Sequence, residues 1–289
     1  MDKCKIKDLR TGSILEIKES KACLFLYRSI IGRVFLKLIT KPFISNLVGR
    51  YMSSSLSKRR IKKFIIKNNI NMSDYKKEEY NSFNDFFVRK IKKDSRKIPR
   101  DKKLFISPCD GKLSVYKISM ESTFIIKDSY YRVEELIENK KLAKEYMGGY
   151  VLIFRLCVDD YHRYIYLDSG YQKENNYIKG ILHTVRPVVL NYYNIYKQNS
   201  RQWTILHTDN FSEVIQVEVG ALMVGKIKNH KKNNNFSRGE EKGMFLFGGS
   251  TIVLLVKENI VQIDEEILKN TRENIETVVK LGHIIGKHN

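Results

Sequence analysis

Cysteine, proline and, over the first hundred residues, acidic side chains are what this 289-residue chain has little of. Its four cysteines, at 4, 23, 109 and 157, form no C-x-x-C pair and have no histidine at metal-ligand spacing. That excludes a zinc knuckle or a disulfide framework and predicts reduced thiols in a cytoplasmic compartment. Cys109 stands beside Asp110, where a small buried thiol is the simpler reading than a nucleophile. Four prolines and sixteen glycines are too few for long disordered segments. The first twenty residues hold no apolar core and no small-residue cleavage site, so no secretory signal is expected. Within residues 21–41 the longest apolar run, Ala22 to Tyr27, has six residues against the roughly 20 needed to cross a bilayer.

What is present begins with charge. The formal net charge is +21, and it is uneven: residues 1–100 carry 26 Lys and Arg against 9 Asp and Glu, while residues 101–289 carry 27 against 23. The basic third contains KACLFLYRSIIGRVFLKLITK at 21–41, in which Leu24, Tyr27, Ile31, Val34 and Leu38 follow the spacing of one helical face and Arg33, Lys37 and Lys41 fall elsewhere. Such a helix fits a membrane interface with anionic headgroups, or else the protein's own core. A second basic segment, KRRIKKFIIK at 58–67, favours the membrane. Nucleic-acid binding is the rival reading, since cations interleaved with aromatics can track phosphates and stack bases, yet no nucleic-acid motif is present.

Along the chain, alternation in SILEIKE predicts a strand within residues 1–20, and residues 22–80 read mainly as helices. Ser73 in NMSDYKKEEY is the expected cap of a helix that FNDFFVRKI continues. From residue 104 the texture becomes a series of short β-rich runs with a helix near 132–146. KNHKKNNNFSRGEEKG at 228–243 reads as a flexible polar loop. IDEEILKNTRENIETVVKLG reads as a closing helix with Gly282 as C-cap. The fold class is therefore α+β: a β-dominated catalytic domain over residues 81–289, preceded over residues 1–80 by a basic, mainly helical, membrane-associating region.

The chemistry concentrates in GEEKGMFLFGGSTIVLLV at 239–256, where Gly248, Gly249, Ser250 and Thr251 lie between two apolar runs. This is also what an ordinary turn into a buried strand looks like. Glycines there permit a strained backbone, and attack of Ser250 Oγ on the Gly249 carbonyl would convert the peptide to an ester. Elimination of the ester and loss of ammonia would leave a pyruvoyl group heading a new chain. Such a carbonyl forms a Schiff base with a substrate amine and acts as an electron sink for decarboxylation, with no diffusible cofactor.

Four further segments accompany that bend: FNDFFVRK at 83–90, SPCDGKL at 107–113, DYHRY at 160–164 and EVGALMVGKI at 218–227. With EKGMFLFGGST at 241–251 they make the chain resemble the phosphatidylserine decarboxylase proenzymes over about residues 70 to 256. The resemblance implies that Ser250 is the self-cleavage nucleophile and pyruvoyl precursor, that Asp110 belongs to the charge relay activating it, and that His162 is the catalytic histidine. Cleavage after Gly249 would give a large chain, 1–249, and a small chain, 250–289, that stay associated because IVLLV remains buried. The implied reaction converts phosphatidylserine to phosphatidylethanolamine and carbon dioxide, at the cytoplasmic face of the cell membrane by peripheral association. Arg163 would pair with the phosphate or stand as a solvated neighbour.

The chain departs from the family at one position. Many members read DYHRxH, and this chain has Ile165 where the second histidine would stand. Either His162 serves both maturation and decarboxylation, or another imidazole, with His183 in ILHTVRP as the candidate, fills the gap. The alternatives are a pyruvoyl decarboxylase of a soluble amino acid, which leaves the amphipathic N-terminus unexplained, and an inactive lipid- or nucleic-acid-binding relative.

Overall fold

The computed structural model describes residues 3–9, 11–18, 21–40, 42–76, 79–93, 95–126, 129–184, 195–221, 226–247 and 250–289. The chain opens with two strands, β1 (Lys3–Asp8) and β2 (Ile14–Lys18), then helices α1 (Lys21–Arg28), α2 (Ile30–Ile39), α3 (Pro42–Met52), α4 (Ile61–Lys67) and the short α5 (Phe83–Phe87). Next come β3 (Leu104–Ile106), β4 (Gly111–Lys117), β5 (Thr123–Ile126) and β6 (Ser129–Arg132), two short helices α6 (Val133–Ile137) and α7 (Lys140–Lys144), and β7 (Tyr150–Leu156). Strands β8 (Arg163–Ile165), β9 (Gly170–Gln172) and β10 (Asn176–Ile178) lead to α8 (Ile195–Gln198), β11 (Arg201–Thr208) and β12 (Glu213–Val219). The chain continues through β13 (Ile227–Asn229), β14 (Asn234–Phe236), β15 (Glu241–Phe245), β16 (Ser250–Val256) and β17 (Val261–Ile263). It closes with α9 (Glu265–Arg272), β18 (Ile275–Val279) and β19 (Ile284–His288).

An eleven-stranded sheet organises the molecule in the order β14-β9-β11-β12-β16-β7-β4-β18-β1-β2, with β10 also on β11. A strand in the middle of a sheet covered on both faces must be apolar on both, and β16, between β12 and β7, has every residue buried. Its alternate residues divide between two cores. Val253 and Leu255 join Val151, Ile153 and Val217 on one face, while Ile252, Leu254 and Val256 join Leu152, Phe154 and Leu156 on the other. A third, aromatic core of Phe83, Phe86 and Phe87 packs with Met52, Phe64 and Phe247, so α3, α4 and α5 meet the stretch that precedes Gly248 and Gly249 in the chain.

Several local expectations change in three dimensions. The β1–β2 hairpin belongs to the main sheet, with β1 parallel to β18, and the helices that follow it pack Cys23, Tyr27 and Leu36 into one of that sheet's two cores. Ser73 caps no helix: Asn71 caps a single 3-10 turn at Met72–Asp74, and Ser82 caps α5. Half of the polar stretch 228–243 is built into β13, β14 and β15, and the rest connects them. The closing helix stops at Arg272, because the β-branched run after Asn274 pairs with both β1 and β4. Gly282, at φ +82°, turns β18 towards β19 and is no C-cap.

The 21–41 helix breaks at Ser29, where Gly32 packs so closely on the preceding helix that a Cβ would lie 2.1 Å from the Phe25 carbonyl oxygen. The single apolar face expected there is split. Tyr27 is buried, Leu24 is half-buried, and Ile31 and Val34 are exposed together with Phe25, Ile30 and Phe35. The Leu38 side chain and Lys41 lie outside the described residues.

Candidate active site

Ser250 is the first residue of β16, held opposite Leu156 at the end of β7. It is wholly buried, and its Oγ has no hydrogen-bond partner among the described residues. A buried hydroxyl left unpaired costs about 1–3 kcal/mol, so one at the head of a central strand calls for a reason beyond packing. Gly248 and Gly249 lie outside the described residues.

His162 lies in the turn from β7 to β8, fully buried, its ring against Phe87 at 4.1 Å between centroids. Its Nδ1 is 2.9 Å from the Asp160 carbonyl oxygen, and its Nε2 has no partner among the described residues. A carbonyl can only accept, so Nδ1 carries the proton and Nε2 presents a lone pair. Burial pushes the imidazole down to about 4, against the attraction of Asp160, so the ring is neutral at physiological pH. The His162 carbonyl accepts from the Phe245 N–H, and Phe247 packs edge-on against the same Phe87 ring. His162 and the residues entering the Gly-Gly bend thus share one aromatic wall.

Asp110 is fully buried and heavily bonded. Its carboxylate accepts from Arg96 Nη2 at 2.8 Å and Nε at 3.2 Å, from Lys280 Nζ at 3.1 Å and from the Leu281 N–H at 2.8 Å. Burial would raise its pKa, but Lys280 and Arg96 prevail and hold it below the usual carboxylate range. Among the described residues none of these bonds reaches an imidazole. The acid tied to the histidine turn is Asp160, whose carboxylate accepts from Lys112 at 2.6 Å and from the Cys157 N–H at 2.8 Å. Lys280 acts on both acids, so Asp110 and Asp160 belong to one buried charge cluster. Reading from sequence passed over Arg96, Lys112 and Lys280; Lys112 alone had a signal, lying inside SPCDGKL.

His183 is on another flank. Its Nδ1 is 3.3 Å from the Tyr27 hydroxyl of α1, and burial lowers its pKa to about 4. Asn199 donates from Nδ2 to the carbonyls of both His183 and Gly220, and Gly220 follows Val219, the partner of Thr251 across β12 and β16. His183 is thus tied through Asn199 to the end of β12, which flanks β16 on one side, whereas His162 follows β7, which flanks it on the other. Ile165 is buried and lines a basic cleft of about 290 Å³ with Arg96 and Leu281, two of the three residues that donate to Asp110. The position lacking an imidazole thus abuts Asp110's clamp. Arg163 is neither solvated nor uncommitted, because its guanidinium donates to Glu241 and to the Val88 carbonyl at 2.7 Å each.

The model of the phosphatidylserine decarboxylase family matches residues 83–287, which include Asp110, His162, His183 and Ser250. The chain belongs to that family. It is 48% identical over 266 residues to phosphatidylserine decarboxylase proenzyme 2 of Clostridium acetobutylicum, covering 92% of this chain and 91% of the relative. The proenzyme of Clostridium perfringens is 42% identical, with 90% of each chain covered. That of Ruminiclostridium cellulolyticum is 42% identical over 90% of this chain and 89% of its own.

In this family member a groove of about 750 Å³ runs between α3, α4 and α5. Phe64, Phe83 and Phe247 form its aromatic part, and Arg59, Arg60, Lys63 and Lys67 supply cations. Phe247 stands three residues before Ser250, so an apolar and cationic channel adjoins the bend. No helix among the described residues is long and apolar enough to cross a membrane.

Proposed function

We propose that this chain is a pyruvoyl-dependent phosphatidylserine decarboxylase made as a proenzyme, cut by its own Ser250 after Gly249. The reading is carried by one observation: Ser250 Oγ, buried at the head of a central strand without a partner among the described residues. His162 supplies the complementary group, a neutral imidazole with an uncommitted Nε2. In maturation Oγ yields its proton to that nitrogen and bonds to the Gly249 carbonyl carbon, while the Gly249–Ser250 C–N bond breaks and the proton passes to the departing nitrogen. Asp110, clamped by Arg96 and Lys280, fixes the charge cluster beneath the histidine turn. The pyruvoyl group derived from Ser250 supplies the electron sink for decarboxylation. The buried unpaired Oγ fits a residue that is a precursor rather than a structural hydroxyl.

The substrate reading rests on the groove. Its aromatic part suits acyl chains, its cations suit a phosphate, and it adjoins Phe247 and the bend. Exposed Phe25, Ile30, Ile31, Val34, Phe35, Phe43 and Leu47 of α1, α2 and α3 stand among Arg33, Lys37 and Arg50, a composition suited to peripheral docking on an anionic membrane at the cytoplasmic face. Large exposed apolar side chains disfavour nucleic acid as the partner. Residues 1–80 thus divide into a sheet hairpin and a membrane-associating helical segment, with the catalytic domain following.

The test is the intact mass of the purified protein under denaturing conditions beside a Ser250→Ala variant. Two fragments dividing at 249/250, the smaller lighter than a serine terminus by loss of ammonia and absent from the variant, are expected. A single 34.0 kDa chain in both samples would sink the reading.

A further inference from the structure

The strands on either side of the Gly-Gly bend lie in different sheets. β16 is in the main sheet, whereas β15 belongs to a separate three-stranded sheet ordered β13-β15-β8, and only residues 246–249 join them along the chain. Between the two sheets lies an ion pair that the chemistry above does not use. Lys242 of β15 and Glu218 of β12 are both completely buried, with Nζ 2.7 Å from Oε1. Glu218 faces Ile252, two residues beyond Ser250, in the β12–β16 ladder.

Side chains from neighbouring strands complete this pair. Asn229 of β13 accepts from Lys242 at 3.1 Å and donates to Glu218 Oε2 at 3.2 Å, and Gln216 donates to Glu218 Oε1 at 2.9 Å. The Tyr164 hydroxyl, on β8 two residues after His162, donates to Asn229 Oδ1 at 3.0 Å. Space there is fully used: a Cβ on Gly243 would meet the Lys228 carbonyl at 2.4 Å and the Tyr164 hydroxyl at 2.7 Å. A buried, directional network of this kind fixes register in a way that apolar contacts, which tolerate sliding, do not.

We infer that Lys242 and Glu218 are positioning residues for self-cleavage, clipping the strand before the bend to the strand beside Ser250, and that they retain the cut end of the large chain afterwards. The inference rests on the self-cleavage reading. After cleavage β15 would be the last strand of the large chain, with no covalent link to β16. The clip, together with the Phe245 N–H bond to His162, would hold that end against the histidine it serves.

The test follows full-length chain made by cell-free translation, sampled over time and quenched for denaturing mass analysis, with thermal melts on the purified proteins. Lys242→Met should cleave at least tenfold more slowly than wild type while folded. The double variant Glu218→Leu with Lys242→Met replaces the pair by apolar groups, so it should regain melting temperature yet remain slow. Cleavage of Lys242→Met at the wild-type rate, or recovery of rate together with melting temperature in the double variant, would overturn the inference. Should Lys242→Met not fold, Asn229→Ala decides, since it leaves both charges in place: slowed cleavage supports the clip and an unchanged rate overturns it. An uncut wild-type chain would overturn the self-cleavage reading, and this inference with it.

Discussion

His162 and Ser250 each hold a buried polar atom without a partner among the described residues, and the pH behaviour of the histidine follows from its burial. Its pKa in the folded chain is about 4, against about 6.5 unfolded, so the unfolded state binds the proton more readily between those values. Stability is accordingly complete above about pH 6.5 and falls as pH drops towards 4, by up to about 3 kcal/mol for this residue. The same neutrality keeps Nε2 available as a base. Self-cleavage should hold its rate from pH 8 down to about 5, measured on quenched samples, whereas a base of ordinary imidazole pKa would lose half its rate near 6.5. His162→Ala should slow cleavage by about 10²-fold or more. His183→Ala separates the two imidazoles: a normal rate removes His183 from maturation. Asp110→Ala leaves Arg96 and Lys280 beside an emptied anion site and should lower stability by about 3–5 kcal/mol in a denaturant melt.

At the scale of elements, the break at Ser29 decides what α1 and α2 can do. It turns Tyr27 into the core and leaves Ile31 and Val34 in solvent. Ile31→Glu with Val34→Glu should therefore abolish pelleting with anionic vesicles while changing stability by only about 0.5 kcal/mol per site. Unchanged pelleting would remove α2 from the docking surface. Gly32→Ala tests the bend itself, since its methyl meets the Phe25 carbonyl at 2.1 Å and the helices would have to part. Loss of vesicle binding with the catalytic sheet intact is the expected result, read by pelleting beside circular dichroism.

For the whole molecule, the small chain would contribute β16 to β19 and α9, with β16 at the centre of the main sheet and β18 between β4 and β1. Cleaved chains should therefore co-elute in native size exclusion and separate only in denaturant. Leu254→Ala, in the fully buried strand, should cost about 2–5 kcal/mol and loosen that association. Separation of the wild-type fragments without denaturant would show that the sheet does not hold the cut enzyme together.

The sequence by itself determined the family and the β-rich run of the catalytic region, and singled out the Gly-Gly-Ser-Thr and DYHRY segments, because each is written in short contiguous stretches. It was enough to read β16 as a buried strand and a helix near 132–146, which the structure divides into α6 and α7 at the left-handed Glu138. Local patterning misled where partners distant in sequence override propensity. Residues 275–279 are a strand because β1 and β4 flank them, and the 228–243 stretch is ordered because β8, β9 and β15 pair with it. Only the tertiary structure joined Arg96 and Lys280 to Asp110, set His183 against Tyr27, and put Lys242 on Glu218. Long-range electrostatics leaves no periodicity in a sequence; it exists only once the sheets have brought the charges together.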